Sequence, residues 1–214
     1  MRNQTRRWPI IAIGFALALL PVTAHAQTIP GALPESAKAL SQGEWRAYAG
    51  TYAAARYSPL AQINRDNAKN LRIAWRWKSP DMAIKAAKPE IGPSFVNEST
   101  PLMIGGVLYT STSLSQVAAI DAATGETKWV FDPKVYENGI GPPANLGWTH
   151  RGVAYWRNGD DERIVILTAF AQMIALDAKT GKPVEGFGTN GRVDLAQGCA
   201  GRSIATTTPT PRRR

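Results

Sequence analysis

The chain has 214 residues, 44% hydrophobic and 19% charged, a composition that belongs to a globular protein with a core rather than to a disordered polypeptide. Its net charge of +9 is concentrated at the two ends: Arg2, Arg6 and Arg7 contribute three charges and Arg202, Arg212, Arg213 and Arg214 four, which leaves +2 for residues 27–198. That balance excludes the electrostatic footprint of a nucleic-acid binder, and the single cysteine, Cys199, excludes a disulfide within the chain.

In chain order, residues 1–26 have the three parts of an export signal: a basic start, an apolar stretch Pro9–Leu20, and small residues at Ala24 and Ala26 before Gln27. The mature protein is therefore expected to begin at Gln27 and to be periplasmic, with membrane association through an uncleaved signal as the alternative. The apolar stretch is shorter than the roughly 20 residues that span a bilayer. Residues 27–43 read as an extended lead-in. From Leu71 the sequence "LRIAWRWKS" places Leu71, Ile73, Trp75 and Trp77 at alternate positions, the pattern of a half-buried strand, and residues 80–99 read as a loop.

"TPLMIGGVLYTST" is two apolar runs joined by Gly105-Gly106, a hairpin signal, because both glycines adopt positive φ at little cost. "QVAAIDAATGETKWVFD" predicts a second hairpin, its turn at Asp121–Gly125. Strands are expected near 101–104, 107–112, 116–121 and 126–131. After a Gly/Pro/Asn-rich loop over 132–150, "RGVAYW", "ERIVILTAF", "QMIALDAKTG" and "KPVEGFG" offer a second set of about four, including strands near 163–168 and 173–177.

The phrase "AAIDAATGETKW" (118–129) returns 56 positions later as "IALDAKTGKPVE" (174–185), with Asp, Ala, Thr and Gly at the same offsets. Two sets of four strands at this period predict an all-β fold of about two four-stranded antiparallel β-propeller blades, the repeated phrase forming an outer hairpin in each. A β-sandwich with a common turn is the plainer alternative. Trp129 is suited to docking between adjacent sheets; the second copy has Glu185 at that offset.

"WRAYAGTYAAARYSPLAQINRDNAKNLRIAWRW", "NESTPLMIGGVLYTST", "AIDAATGETKWVFD", "RGVAYW" and "ALDAKTG" follow one another from Trp45 to about Gly198. In this order they resemble the quinoprotein dehydrogenases, enzymes that carry pyrroloquinoline quinone (PQQ) at the centre of an eight-bladed propeller. The resemblance implies that residues 44–198 form part of such a propeller. It also implies that Glu98, in "NESTPL", and Arg151, in "HRGVAYW", bind the cofactor, Arg151 beside the quinone's ortho-dione oxygens, where a guanidinium stabilises the negative charge of reduction. Taken singly, Glu98 reads as a solvated loop acid and Arg151 as a surface cation. The implied parent oxidises alcohols, aldoses or polyols with Ca2+ as Lewis acid, passing electrons to a quinone or cytochrome acceptor. Its catalytic base and metal ligands belong to later blades, so no catalytic or metal-binding residue is assigned here.

The loop "YENGIGPPANLGW" lacks the adjacent cysteines of many alcohol-oxidising members, which favours the disulfide-less glucose, polyol and quinate branch. His150 has no acid nearby in sequence to orient it as a base. The segment 199–214, "CAGRSIATTTPTPRRR", departs from the family's composition, as a truncated or frameshifted end would, with a natural disordered basic tail as the alternative, and the chain alone is expected to be inactive. The reading from a different class is a non-catalytic periplasmic propeller scaffold.

Overall fold

The structure is a computed structural model that describes residues 38–91, 96–137, 141 and 148–197. The expected export signal, most of the lead-in and the segment 199–214 with Cys199 lie outside these residues. The described part of the lead-in is not extended: residues 38–41 are helical, with Ala39 and Leu40 buried.

The first four-stranded sheet is an antiparallel meander of β2 (Leu102–Ile104), β3 (Val107–Ser111), β4 (Val117–Asp121) and β5 (Thr127–Phe131). The second runs β7 (Ala154–Asn158), β8 (Asp161–Leu167), β9 (Gln172–Asp177) and β10 (Arg192–Asp194). Two further strands, β1 (Val96–Thr100) and β6 (Thr149–Gly152), precede the two sheets and pair with each other in parallel. The expected strands over 101–131, 163–168 and 173–177 are found within two residues of their predicted limits.

Leu102, Ile104, Tyr109, Val117 and Ala119 of the first sheet share one core with Ile164, Ile166, Ile174, Leu176 and Ala178 of the second. Ala119 to Val117 and Ile174 to Leu176 lie two residues apart, so alternate side chains point to one face and the two sheets stack through those faces. A smaller cluster of Ile91, Leu114, Val135 and Trp148 lies beside it.

The two copies of the repeated phrase form the same turn. Asp121 Oδ1 accepts from the amides of Ala123 and Thr124, and Asp177 Oδ1 from the amide and hydroxyl of Thr180. Gly125 (φ +78°) and Gly181 (φ +70°) close them in the left-handed region.

A tryptophan also covers each turn. The Trp129 indole donates to Ala178 O at 3.1 Å and lies over Gly181; the Trp75 indole donates to Ala122 O at 3.1 Å and lies over Gly125. Tyr109 donates to the same Ala178 carbonyl, its phenol pushed up to about 12 by burial and then by Glu162 and Asp177. Trp129 therefore docks between adjacent sheets as its sequence position suggested.

Three further expectations are corrected. Residues 71–77 are extended but not a strand: no strand pairs with them among the described residues, so the alternation shows only as Trp75 and Trp77 half-buried while Leu71 and Ile73 are 57% and 67% exposed. The run 182–188 is not the fourth strand of the second sheet. Pro183 bridges Leu176 and the Val184 amide reaches Ala175 O, then residues 185–190 leave the sheet, Gly191 O accepts the Ala175 amide and β10 completes the edge.

The third is the loop 80–99, which contains α1 (Asp81–Ala87), a 3-10 turn at Pro89–Ile91 and β1. Seven residues are too few to make an independently stable helix. Tertiary bonds hold this one: the buried Asp81 carboxylate accepts from Thr112 Oγ1 at 2.7 Å, Gln116 Nε2 at 2.6 Å and the Leu114 amide at 3.2 Å.

Candidate functional site

Parallel pairing of β1 with β6 brings together two residues 53 positions apart. The register sets Asn97 opposite His150 and Thr100 opposite Gly152, and Glu98 and Arg151 meet between these pairs, Nη2 to Oε2 at 3.2 Å. Both line an open groove of about 1050 Å3 whose walls include Tyr48, Val153, Leu167 and Thr168. The Arg151 side chain is 83% exposed and that of Glu98 46% exposed, so solvent screens the pair and its contribution to stability is small. What it provides is a guanidinium held at the groove by a single carboxylate, with further N–H donors for a ligand.

Gly152 follows with φ +123°, where a side chain is strained, and a Cβ there would meet the Thr100 carbonyl at 3.4 Å. The close approach of β1 to β6 that pairs Glu98 with Arg151 is thus built for glycine at this position.

Beneath the pair is a hydrogen-bonded cluster that sequence reasoning did not find. His150 is 7% exposed, and its neighbours in sequence and across the sheets use both ring nitrogens. Nε2 lies 2.9 Å from Leu167 O, and since a carbonyl only accepts, Nε2 carries the proton. Nδ1 is then the acceptor, from Ser111 Oγ at 2.7 Å and the Gly152 amide at 3.2 Å. Ser111 Oγ in turn lies 3.1 Å from Ser99 Oγ, and the Ser111 amide donates to Ser99 Oγ at 3.3 Å. Burial pushes the His150 imidazole below its usual range, opposed by the bond to Leu167. The available signal was the run Thr110-Ser111-Thr112-Ser113 at the end of a strand, hydroxyls that need partners once buried.

Among the described residues no group of three or more His, Cys, Asp or Glu is placed to hold a metal ion.

Repeated four-stranded sheets, each capped by the preceding tryptophan, with a charged groove where their leading strands meet, define part of a β-propeller. The family model described as PQQ, glucose/ethanol/alcohol dehydrogenase, beta-propeller domain matches residues 45–212, and the chain belongs to this family. The match runs past Gly198 into the basic segment.

The chain is 42% identical over 142 residues to an alcohol dehydrogenase (quinone), dehydrogenase subunit, of Komagataeibacter europaeus, covering 66% of this chain and 17% of that protein. It is 35% identical over 181 residues to a quinoprotein glucose dehydrogenase of Gluconobacter oxydans, covering 78% of this chain and 21% of the relative. The solved quinohemoprotein alcohol dehydrogenase of Comamonas testosteroni superimposes with a TM-score of 0.61 at 31% identity, covering 77% of this chain and 21% of that one. The chain thus spans about a fifth of the length of these relatives.

Proposed function

We propose that this chain supplies one wall of the cofactor site of a PQQ-dependent dehydrogenase that oxidises alcohols, aldoses or polyols. The observation that carries the proposal is the meeting of Glu98 and Arg151 in one groove, at the positions the family motifs single out. The donor set fits a planar tricarboxylate: an exposed, planar guanidinium with several N–H donors, a hydroxyl at Thr168, and an apolar wall of Val153 and Leu167 beside them.

PQQ, when bound, supplies an ortho-quinone able to take up a hydride from an alcohol carbon. Arg151 then binds an anionic oxygen and stabilises charge that develops on it, a contribution that grows as water is excluded. Glu98 orients the guanidinium and offers carboxylate oxygens to an N–H or O–H of the ligand. Ca2+ is assigned to no residue of this chain.

The absence of adjacent cysteines before "RGVAYW" supports the glucose, polyol and quinate branch, and the basic, apolar and small-residue order of residues 1–26 supports export to the periplasm. The chain's share of its relatives' length supports assigning turnover, and electron transfer to a quinone or cytochrome acceptor, to a longer protein.

The test is titration of the full chain with PQQ, followed by quenching of tryptophan fluorescence. Saturable binding that weakens at least tenfold in Arg151→Ala supports the reading. Binding unchanged by that substitution, or no binding with or without Ca2+, would overturn it.

A further inference from the structure

The hydroxyl cluster beneath the groove has a direction, and the direction assigns a role. Because Leu167 O fixes the His150 proton on Nε2, the Ser111 hydroxyl must donate to Nδ1. With its hydrogen turned to Nδ1, the Ser111 oxygen is an acceptor 3.1 Å from Ser99 Oγ, which itself accepts the Ser111 amide and has Thr110 Oγ1 as a second hydroxyl neighbour at 3.1 Å. One continuous path therefore runs from Ser99, the residue after Glu98, through Ser111 of β3 to His150, the residue before Arg151. On the far side Nδ1 also receives the amide of Gly152, the residue after Arg151. The residue after Arg151 is thus tied to the imidazole of the residue before it.

We propose that His150 is the positioning residue of this site, holding Arg151 against Glu98 while its Nδ1 is bare and releasing that geometry when Nδ1 takes a proton. Its significance for the cofactor rests on the proposed function; the geometric claim does not.

Protonation has a defined consequence. An Nδ1–H must donate to Ser111, so the Ser111 hydrogen turns away, and the Gly152 amide faces another N–H where it had an acceptor. Gly152 is then left with an unsatisfied donor or must move, and with it the end of β6 that carries Arg151. The ionisable groups on the packed elements are few among the described residues: Glu98 on β1, Arg151 on β6 itself and Tyr48 on the groove wall. β3 presents Ser111, the end of β8 Leu167, and the turn after it Thr168. Burial opposes the charged imidazole in the same sense.

The experiment is 15N-detected NMR of the full chain across pH 4.5–8, with the two histidines distinguished by a His25→Gln variant. The expected result is a neutral His150 protonated at Nε2 at pH 7.5. The Gly152 amide and Arg151 Nε–H signals should then shift on acidification with the midpoint of His150. Ser111→Ala, which leaves the imidazole in place, should shift the Arg151 signal at pH 7.5, and His150→Asn should abolish the pH response while keeping an acceptor for Gly152. A proton on Nδ1 at pH 7.5, or Arg151 and Gly152 signals indifferent to the His150 titration, would overturn the proposal. These readouts need no cofactor. If they hold and added PQQ does not bind, the cofactor reading fails and the positioning role stands.

Discussion

His150 uses both ring nitrogens within the fold, and this sets a pH dependence for stability. Its pKa is lowered from 6.5 by burial, so on acidification the unfolded chain takes up the proton first. Stability from this residue is complete above pH 6.5 and declines as the pH falls from 6.5 toward the folded value. The lowered carboxyls of Asp121, Glu137 and Asp161 act in a separate window, below their ordinary values of 3.8 to 4.5. Urea midpoints should therefore fall between pH 7 and pH 5 in the wild type and stay nearly level in His150→Asn; an equal fall in both would show that another group titrates. By contrast Glu98→Gln should change stability by no more than about 1 kcal/mol, because the ion pair is solvated. Denaturant unfolding checks this, and a larger loss would mean a structural role for the pair. Glu98 and Arg151 could be singled out as candidates because each sits in a short motif. The role of His150 was not, since its partners Ser111 and Leu167 are 39 and 17 residues away in sequence and only sheet stacking brings them together.

At the scale of elements, the joint between sheets is a tryptophan laid on a glycine. A Cβ on Gly181 would come within 2.5 Å of the Trp129 ring, and φ there is +70°. Gly181→Ala should cost about 2–4 kcal/mol, of which roughly 1 is the left-handed backbone and the rest the clash. In a Trp129→Ala background the same change should cost only the backbone part, a coupling that a double-mutant cycle in urea would measure; additive losses would deny the contact. The repeat that builds this joint was legible, because turn chemistry depends on Asp, Thr and Gly at fixed offsets. What was not legible depended on distant partners. Helix α1 is short and is held through Asp81 by residues 112–116, and the fourth strand of the second sheet is interrupted at 185–190, which no local periodicity marks.

For the whole molecule, the equivalence of Trp75 on Gly125 with Trp129 on Gly181 gives residues 71–77 the place of β5 in a further blade. In this chain their amides pair with no strand among the described residues, and Leu71 and Ile73 are exposed. Hydrogen exchange should therefore be at least about a hundredfold faster at residues 72–74 than in β4, whose amides are paired on both sides. Comparable protection would mean that these residues are already paired, by a second copy of the chain or by residues not described. The central claim, that the groove between β1 and β6 is a quinone-cofactor wall, is tested most directly by crystals of the chain soaked with PQQ. The account predicts the cofactor in the groove, with an anionic oxygen about 2.7–2.9 Å from an Arg151 nitrogen. PQQ bound elsewhere on the chain, or a groove left empty at saturating PQQ, would contradict it.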